Sequence, residues 1–440
     1  MPSEQRLNRQ ILRLAVPALG ALVAEPLFLL ADAALIGHLG VVPLAALGLA
    51  SAVLQTIVGL MVFLAYSTTP VVARRFGAGE PGRAVSAGLD GMWLAAVLGI
   101  VLAVAGSVSA PWLLAAFGAA PEVAAQAQTY LGISLWGLPA MLIVFAATGL
   151  LRGMQDTVTP LRVAVAGFAA NAGLNALFIY GLGWGIAGSA VGTVVAQWGM
   201  VVAYVVVVGR LARRHAASLR PHLANVGGSA RAGGWMFLRS VWLQVALLTT
   251  VAVASRIGTA ELAGWQVSYT IFSTAAFALD ALAIAAQALI GHALGAGDET
   301  ATRRVLRRTL AWGGWFGVAV GLVIGCLSGV IGLLFTSDTA VAALAQPALI
   351  VLALAQPLCG AVFVLDGVLI GAGDGRYLGI AGFTTLVPLV PALLLVVAAG
   401  VTGASGLAWL AVAFFGVYML ARFTTLGLRV RGERWLAVGA

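Results

Sequence analysis

Lysine is absent, and charge of either sign is scarce. Asp, Glu, Lys and Arg together make up 9% of the 440 residues, against 61% hydrophobic, and the mean hydropathy is +1.04. An average soluble protein carries about 25% charged residues, so this chain cannot cover a water-facing surface. That shortage excludes a soluble enzyme, a disordered chain and a nucleic-acid binder. All 24 basic residues are Arg, and they give a formal net charge of +9. Taken alone, that charge points to a polyanionic partner; its distribution points elsewhere. Only two cysteines occur, Cys326 and Cys359, each inside an apolar run. They supply neither a disulfide framework nor metal-ligand spacing.

What the chain has in abundance is long apolar runs. A hydrocarbon core of about 30 Å takes roughly 20 apolar residues per helix. Twelve runs meet that length, near 12–37, 46–72, 89–117, 127–151, 159–181, 185–209, 236–257, 263–290, 309–335, 342–370, 377–400 and 406–427. The opening MPSEQRLNRQILRL lacks a cleavage site after a short apolar core, so it is expected to lead into an uncleaved first span. Arg residues follow the even-numbered spans almost exclusively, as at Arg74, Arg75, Arg152, Arg213, Arg214, Arg303 and Arg304; Arg256 is the exception. The positive-inside rule then predicts cytoplasmic termini for a multi-pass protein of the cell inner (plasma) membrane. The Arg excess is topology.

The sequence also repeats itself at an offset of 218 residues. Pro139 meets Pro357, Gly149 meets Gly367, Gly153 and Asp156 meet Gly371 and Asp374, and Gly40, Leu44 and Ala45 meet Gly258, Leu262 and Ala263. Each half holds an even number of spans, so both halves enter from the same side. They are related by an axis along the membrane normal, as in transporters built from parallel repeats. The expected organisation is an N-terminal six-helix lobe over 1–209, an Arg-rich cytoplasmic linker over 210–234 and a C-terminal six-helix lobe over 235–440.

Five acids fall within or at the edges of spans: Glu25, Asp32, Asp90, Asp280 and Asp366. An Asp at the bilayer centre costs about 2.5–3.5 kcal/mol on insertion scales, so each needs a reason. Asp90, at the start of the third span, is expected to be solvated. Asp32 lies two turns from Glu25 on one helical face. Pro26 between them removes a backbone hydrogen bond and is a candidate hinge. Asn171 and Asn175 share a face of the fifth span, and Thr193 and Gln197 share a face of the sixth. A carboxylate with amide and hydroxyl neighbours can hold a proton, a sodium ion, or each in turn. At the 218 offset Asp32 meets Thr250, Asn175 meets Leu393 and Thr193 meets Ala411. A cluster kept in one half only suggests a job rather than a requirement of the fold. Glu25 and Gln197, with Gln244, Asp280 and Asp366 in the second half, are candidates for substrate or C-lobe cation contact, and an ion pair with Arg239 is the rival reading for Asp280 and Asp366. Trp93, Trp136, Trp184, Trp265 and Trp409 sit near span ends and fit interfacial belts.

The chain resembles the multidrug and toxic compound extrusion (MATE) transporters, and most of all their DinF-like branch. The resemblance is carried by LADAALIGHLG at 30–40, LRGMQDT at 151–157, NAGLNALFIYGLGWGIAG at 171–188 and ALDALAIAAQALIG at 278–291. It implies an all-α membrane fold, with twelve helices in two six-helix lobes around a V-shaped cavity. It further implies antiport of organic compounds against protons or sodium. The positions matching Asp32, Asn171, Asn175 and Thr193 form a cation site in the family, and the position matching Asp366 is a proposed C-lobe cation ligand. The family often has an acid where this chain has Asn175. One missing negative charge favours a proton over sodium as coupling ion. Efflux of lipophilic cations by a monomer is therefore expected, with small molecules and membrane lipid as partners and no nucleic acid. Neither a cofactor nor a metal site is expected. The alternatives are a lipid-linked oligosaccharide flippase of the same superfamily, which would prefer a cationic cavity, and an integral-membrane enzyme, which would need paired acids on an aqueous loop.

Overall fold

The computed structural model describes residues 4–115, 117–221, 223–334 and 339–439. Among these there are no strands. A backbone in hydrocarbon must satisfy its own N–H and C=O groups, and a helix does so within one segment. Twelve helices are long and apolar enough to cross a membrane: α1 Glu4–Gly37, α2 Val41–Gly77, α3 Pro81–Ala115, α4 Pro121–Gly153, α5 Val158–Gly181, α6 Gly185–Arg214, α7 Ala230–Ile257, α8 Thr259–Gly295, α9 Glu299–Ile331, α10 Ala342–Gly371, α11 Gly375–Ala398 and α12 Gly403–Arg431. They match the twelve expected runs, and most extend further toward the Arg-bearing ends. A 3₁₀ turn, Leu135–Gly137, interrupts α4. Wide π turns occupy Leu177–Gly181 in α5 and Val412–Tyr418 in α12. The helix α1 runs unbroken through Pro17 and Pro26. Pro26 has no N–H to offer the carbonyl one turn back.

Contacts divide the chain into two compact units. The first is Val16–Gly233; the second joins the start of the chain, through Ala15, to Gly234–Gly439. Within the second unit, Arg308 of α9 donates from Nε to Asn8 Oδ1 of α1 at 2.7 Å.

Packing inside each unit repeats with the sequence. Gly99 of α3 lies against the Pro139 backbone of α4, and Gly317 of α9 lies against the Pro357 backbone of α10. A methyl at Gly149 would stand 2.8 Å from the Ala65 carbonyl, and one at Gly367 would stand 2.5 Å from the Ala283 carbonyl. All four residue pairs are related by the same offset of 218, from Gly99 to Gly317 and from Ala65 to Ala283. The duplication is therefore one of helix-to-helix distances, set by positions where no side chain fits.

Two expectations fail at helix ends. Asp90 is buried, at 1% exposure, not solvated. The helix α3 begins at Pro81, so Asp90 lies more than two turns inside it. Trp265 is fully buried, and its ring packs on Tyr269, Phe414 and Phe415. It is a core residue of the second unit and no part of an interfacial belt. Trp93, Trp136, Trp184 and Trp409 are about half exposed, as such a belt requires.

Candidate functional site

In the first unit four helices converge on one carboxylate. Asp32 of α1 is 4% exposed. Its Oδ1 accepts from Asn175 Nδ2 of α5 at 2.8 Å and from Ser189 Oγ of α6 at 2.6 Å. Its Oδ2 accepts from the Tyr130 hydroxyl of α4 at 3.2 Å. Beside this group, Asn171 Nδ2 donates to Thr193 Oγ1 at 3.0 Å. Asn171, Asn175, Ser189 and Thr193 are all buried. The i, i+4 spacings are what bring these groups together: Asn171 and Asn175 face inward from α5, and Ser189 and Thr193 from α6.

The electrostatics of the group are simple. Every hydrogen-bond partner of Asp32 among the described residues is neutral, and no described Arg or His pairs with it. Three donors point at it, each from a different helix. Charge-assisted hydrogen bonds of this kind are about twice as strong as neutral ones, which is how an acid without a counter-ion is held in an apolar bundle. The arrangement can take up and release one proton at the carboxylate, with the donors in place to hold the charged form.

Asp32 forms part of the wall of a cavity of about 790 Å³, shared with Glu25, Tyr130, Asn171, Thr193 and Gln197. Glu25 is exposed into it and makes no hydrogen bond or ion pair among the described residues. The Phe28 and Phe168 rings, stacked at 5.2 Å, supply the apolar side. Of the expected first-half residues, Asp32, Asn171, Thr193, Glu25 and Gln197 border this space; Asn175 does not, being fully buried behind Asp32. Pro26 lies on α1 between the two acids.

The second unit is arranged differently. Asp366 of α10 accepts from Arg239 of α7 through both Nε and Nη2, and from Arg422 Nη2 of α12 at 3.1 Å. All three side chains are about nine-tenths buried. A carboxylate engaged by two guanidiniums has no charge left for a further cation. Gln244 of α7 and Asp280 of α8 are half-buried.

Sequence reasoning missed three participants. Ser189 had a signal, since it continues the Thr193 and Gln197 row one turn back. Tyr130 and Arg422 had none: nothing in their local spacing ties them to Asp32 or Asp366. At 151–157, Asp156 bonds the first amides of α5, with Oδ1 accepting from Thr159 N at 2.9 Å. That motif tethers a helix end.

Twelve membrane-spanning helices in two repeated halves, with an acid lacking a counter-ion beside a cavity, define a membrane transporter. The MatE family model matches residues 17–177 and again 236–394, once in each half. The chain belongs to the MATE family of multidrug efflux transporters. It is 30% identical to Protein DETOXIFICATION 44, chloroplastic, of Arabidopsis thaliana, over 97% of this chain and 84% of that one. It is 28% identical to DNA damage-inducible protein F of Escherichia coli K12, over 83% of this chain and 81% of that one. The solved structure of a Vibrio cholerae MATE transporter in the bent form shares its fold, with a TM-score of 0.88 at 23% identity over 98% of this chain and 99% of that one.

Proposed function

We propose that the protein exports lipophilic organic cations across the cell inner membrane by proton antiport, as a monomer with both termini cytoplasmic. The observation that carries the reading is Asp32, a buried acid whose partners are all neutral hydrogen-bond donors. Sodium would need several oxygen ligands and compensating negative charge. Here residue 175 is Asn, so Asp32 supplies the only negative charge among Asp32, Asn171, Asn175 and Thr193. A proton needs only the carboxylate itself. Acids and stacked aromatic rings along one cavity suit a substrate that is positive and apolar at once. They do not suit a pyrophosphate, which disfavours the flippase alternative. The Arg distribution supports the orientation. No cofactor and no enzymatic step enter the reading.

The test is transport in proteoliposomes, with pH and sodium gradients imposed separately. Export of a fluorescent organic cation is expected to follow the pH gradient and to respond little to sodium. Export that runs on sodium and ignores pH would overturn the reading.

A further inference from the structure

A second cavity lies in the first unit, of about 810 Å³. The Asp32 cavity is bordered by α1 at 25–32, α2 at 51–58, α4 at 130–141, α5 at 167–171 and α6 at 193–200. The second is bordered by α1 at 21–25, α2 at 62–66, α4 at 141–152, α5 at 160–168 and α6 at 200–204. On all five helices the shift runs the same way, toward the end of the unit that carries Arg74, Arg152, Arg162 and Arg210. The two cavities are therefore stacked along the unit. They share Glu25, Met141, Phe168 and Met200.

Among the described residues, Glu25 is the one titratable side chain that borders both. The other titratable groups facing the first cavity are Asp32 and Tyr130. Those facing the second are Tyr66, Arg152 and Tyr204, and the Tyr204 hydroxyl is 2.9 Å from Thr148 Oγ1. Asp32 is held by its three donors, whereas Glu25 is open and has no partner among the described residues. Seven residues of helix separate the two acids by roughly 10 Å along the axis. That gap excludes direct transfer and calls for a short chain of water, for which the polar wall of Asn171, Thr193 and Gln197 offers partners.

We propose that Glu25 is the proton relay by which Asp32 discharges toward the Arg-rich end of the same unit. The inference rests on the proton-coupled reading above. The proton leaves the Asp32 carboxyl through water and is taken by the Glu25 carboxylate. Asp32 is left charged and held by Tyr130, Asn175 and Ser189. Glu25 then releases the proton into the second cavity, past the Thr148–Tyr204 pair and Arg152, and returns to its carboxylate form. One proton moves and no charge is created or lost.

The test compares two transport modes of the full-length protein in proteoliposomes, with ethidium as the probe. Net uptake driven by a pH gradient requires proton release, while ethidium–ethidium exchange at equal pH does not. Glu25→Gln is expected to slow net uptake at least about tenfold more than it slows exchange. Glu25→Asp, which keeps the carboxyl, is expected to recover part of the loss. Ala164→Phe, which fills the second cavity without touching an acid, is expected to show the same split between modes. Equal loss of both modes, as a substrate-holding or purely structural role would give, overturns the proposal. So does net uptake at the unmodified rate in Glu25→Gln, provided the unmodified protein follows the pH gradient. Unmodified uptake that ignores the gradient overturns the proposed function, and the relay with it.

Discussion

The two units share a scaffold and differ in what they do with a buried acid. In the first, Asp32 is met by three neutral donors. In the second, Asp366 is met by two guanidiniums. The 218 offset shows how complete the exchange is. The positions matching Asp32, Tyr130, Asn175 and Ser189 are Thr250, Ala348, Leu393 and Leu407. All four are buried, and Thr250 turns its hydroxyl back to the Ala246 carbonyl. Conversely, the positions matching Arg239, Asp366 and Arg422 are Ala21, Thr148 and Tyr204, which border the second cavity of the first unit. Where one half is filled by an ion cluster, the other is open. Duplication preserved the helix contacts, and substitution at a few inward positions separated a buried acid met only by neutral donors from one held by two guanidiniums.

Breaking this contrast at Asp32 should have the largest effect. Asp32→Asn is expected to reduce pH-driven export by about 100-fold or more while leaving membrane insertion intact; vesicle uptake alongside membrane yield checks both. Full export by this variant would remove the acid from the mechanism. Asp366→Asn attacks the other half and should act on stability. Leaving two buried guanidiniums without their carboxylate should cost about 3–5 kcal/mol, read as a lower melting temperature in detergent. An unchanged melting temperature would mean that water reaches the cluster. Gly149→Ala and Gly367→Ala test what the units share. Each places a methyl against a facing carbonyl, and each should cost about 1–3 kcal/mol, with similar melting shifts for the pair. A large effect in one half only would mean that the repeat is not equally tight. The smallest change sharpens the contrast. Asn175→Asp adds a second carboxylate beside Asp32 and should raise the response of export to a sodium gradient at equal pH. Sodium-independent export by this variant would show that charge count does not select the ion.

Much of this was legible in the sequence because a membrane restricts the choices. Twelve apolar runs, the Arg alternation and the repeat each follow from composition along a line. Asp32, Asn171, Asn175 and Thr193 stood out because polar atoms in such runs are costly, and their helical spacing put them on common faces. What stayed hidden required distance between helices. Tyr130 reaches Asp32 across 98 residues of sequence, and Arg422 reaches Asp366 across 56. Asp90 and Trp265 were misplaced for one reason: the apolar runs were drawn shorter than the helices. A residue near the edge of a run is well inside a helix that begins at Pro81 or Thr259.

The two arginines on Asp366 carry a last consequence. A guanidinium keeps its charge at every pH a cell meets, whereas a buried ammonium readily sheds its proton. With no lysine anywhere in the chain, the second unit's cluster is electrically frozen. Its two positive charges persist through acid and alkaline conditions alike. Of the two buried acids Asp32 and Asp366, a charge that changes with pH should therefore trace to Asp32, with the Asp366 cluster as the fixed reference beside it.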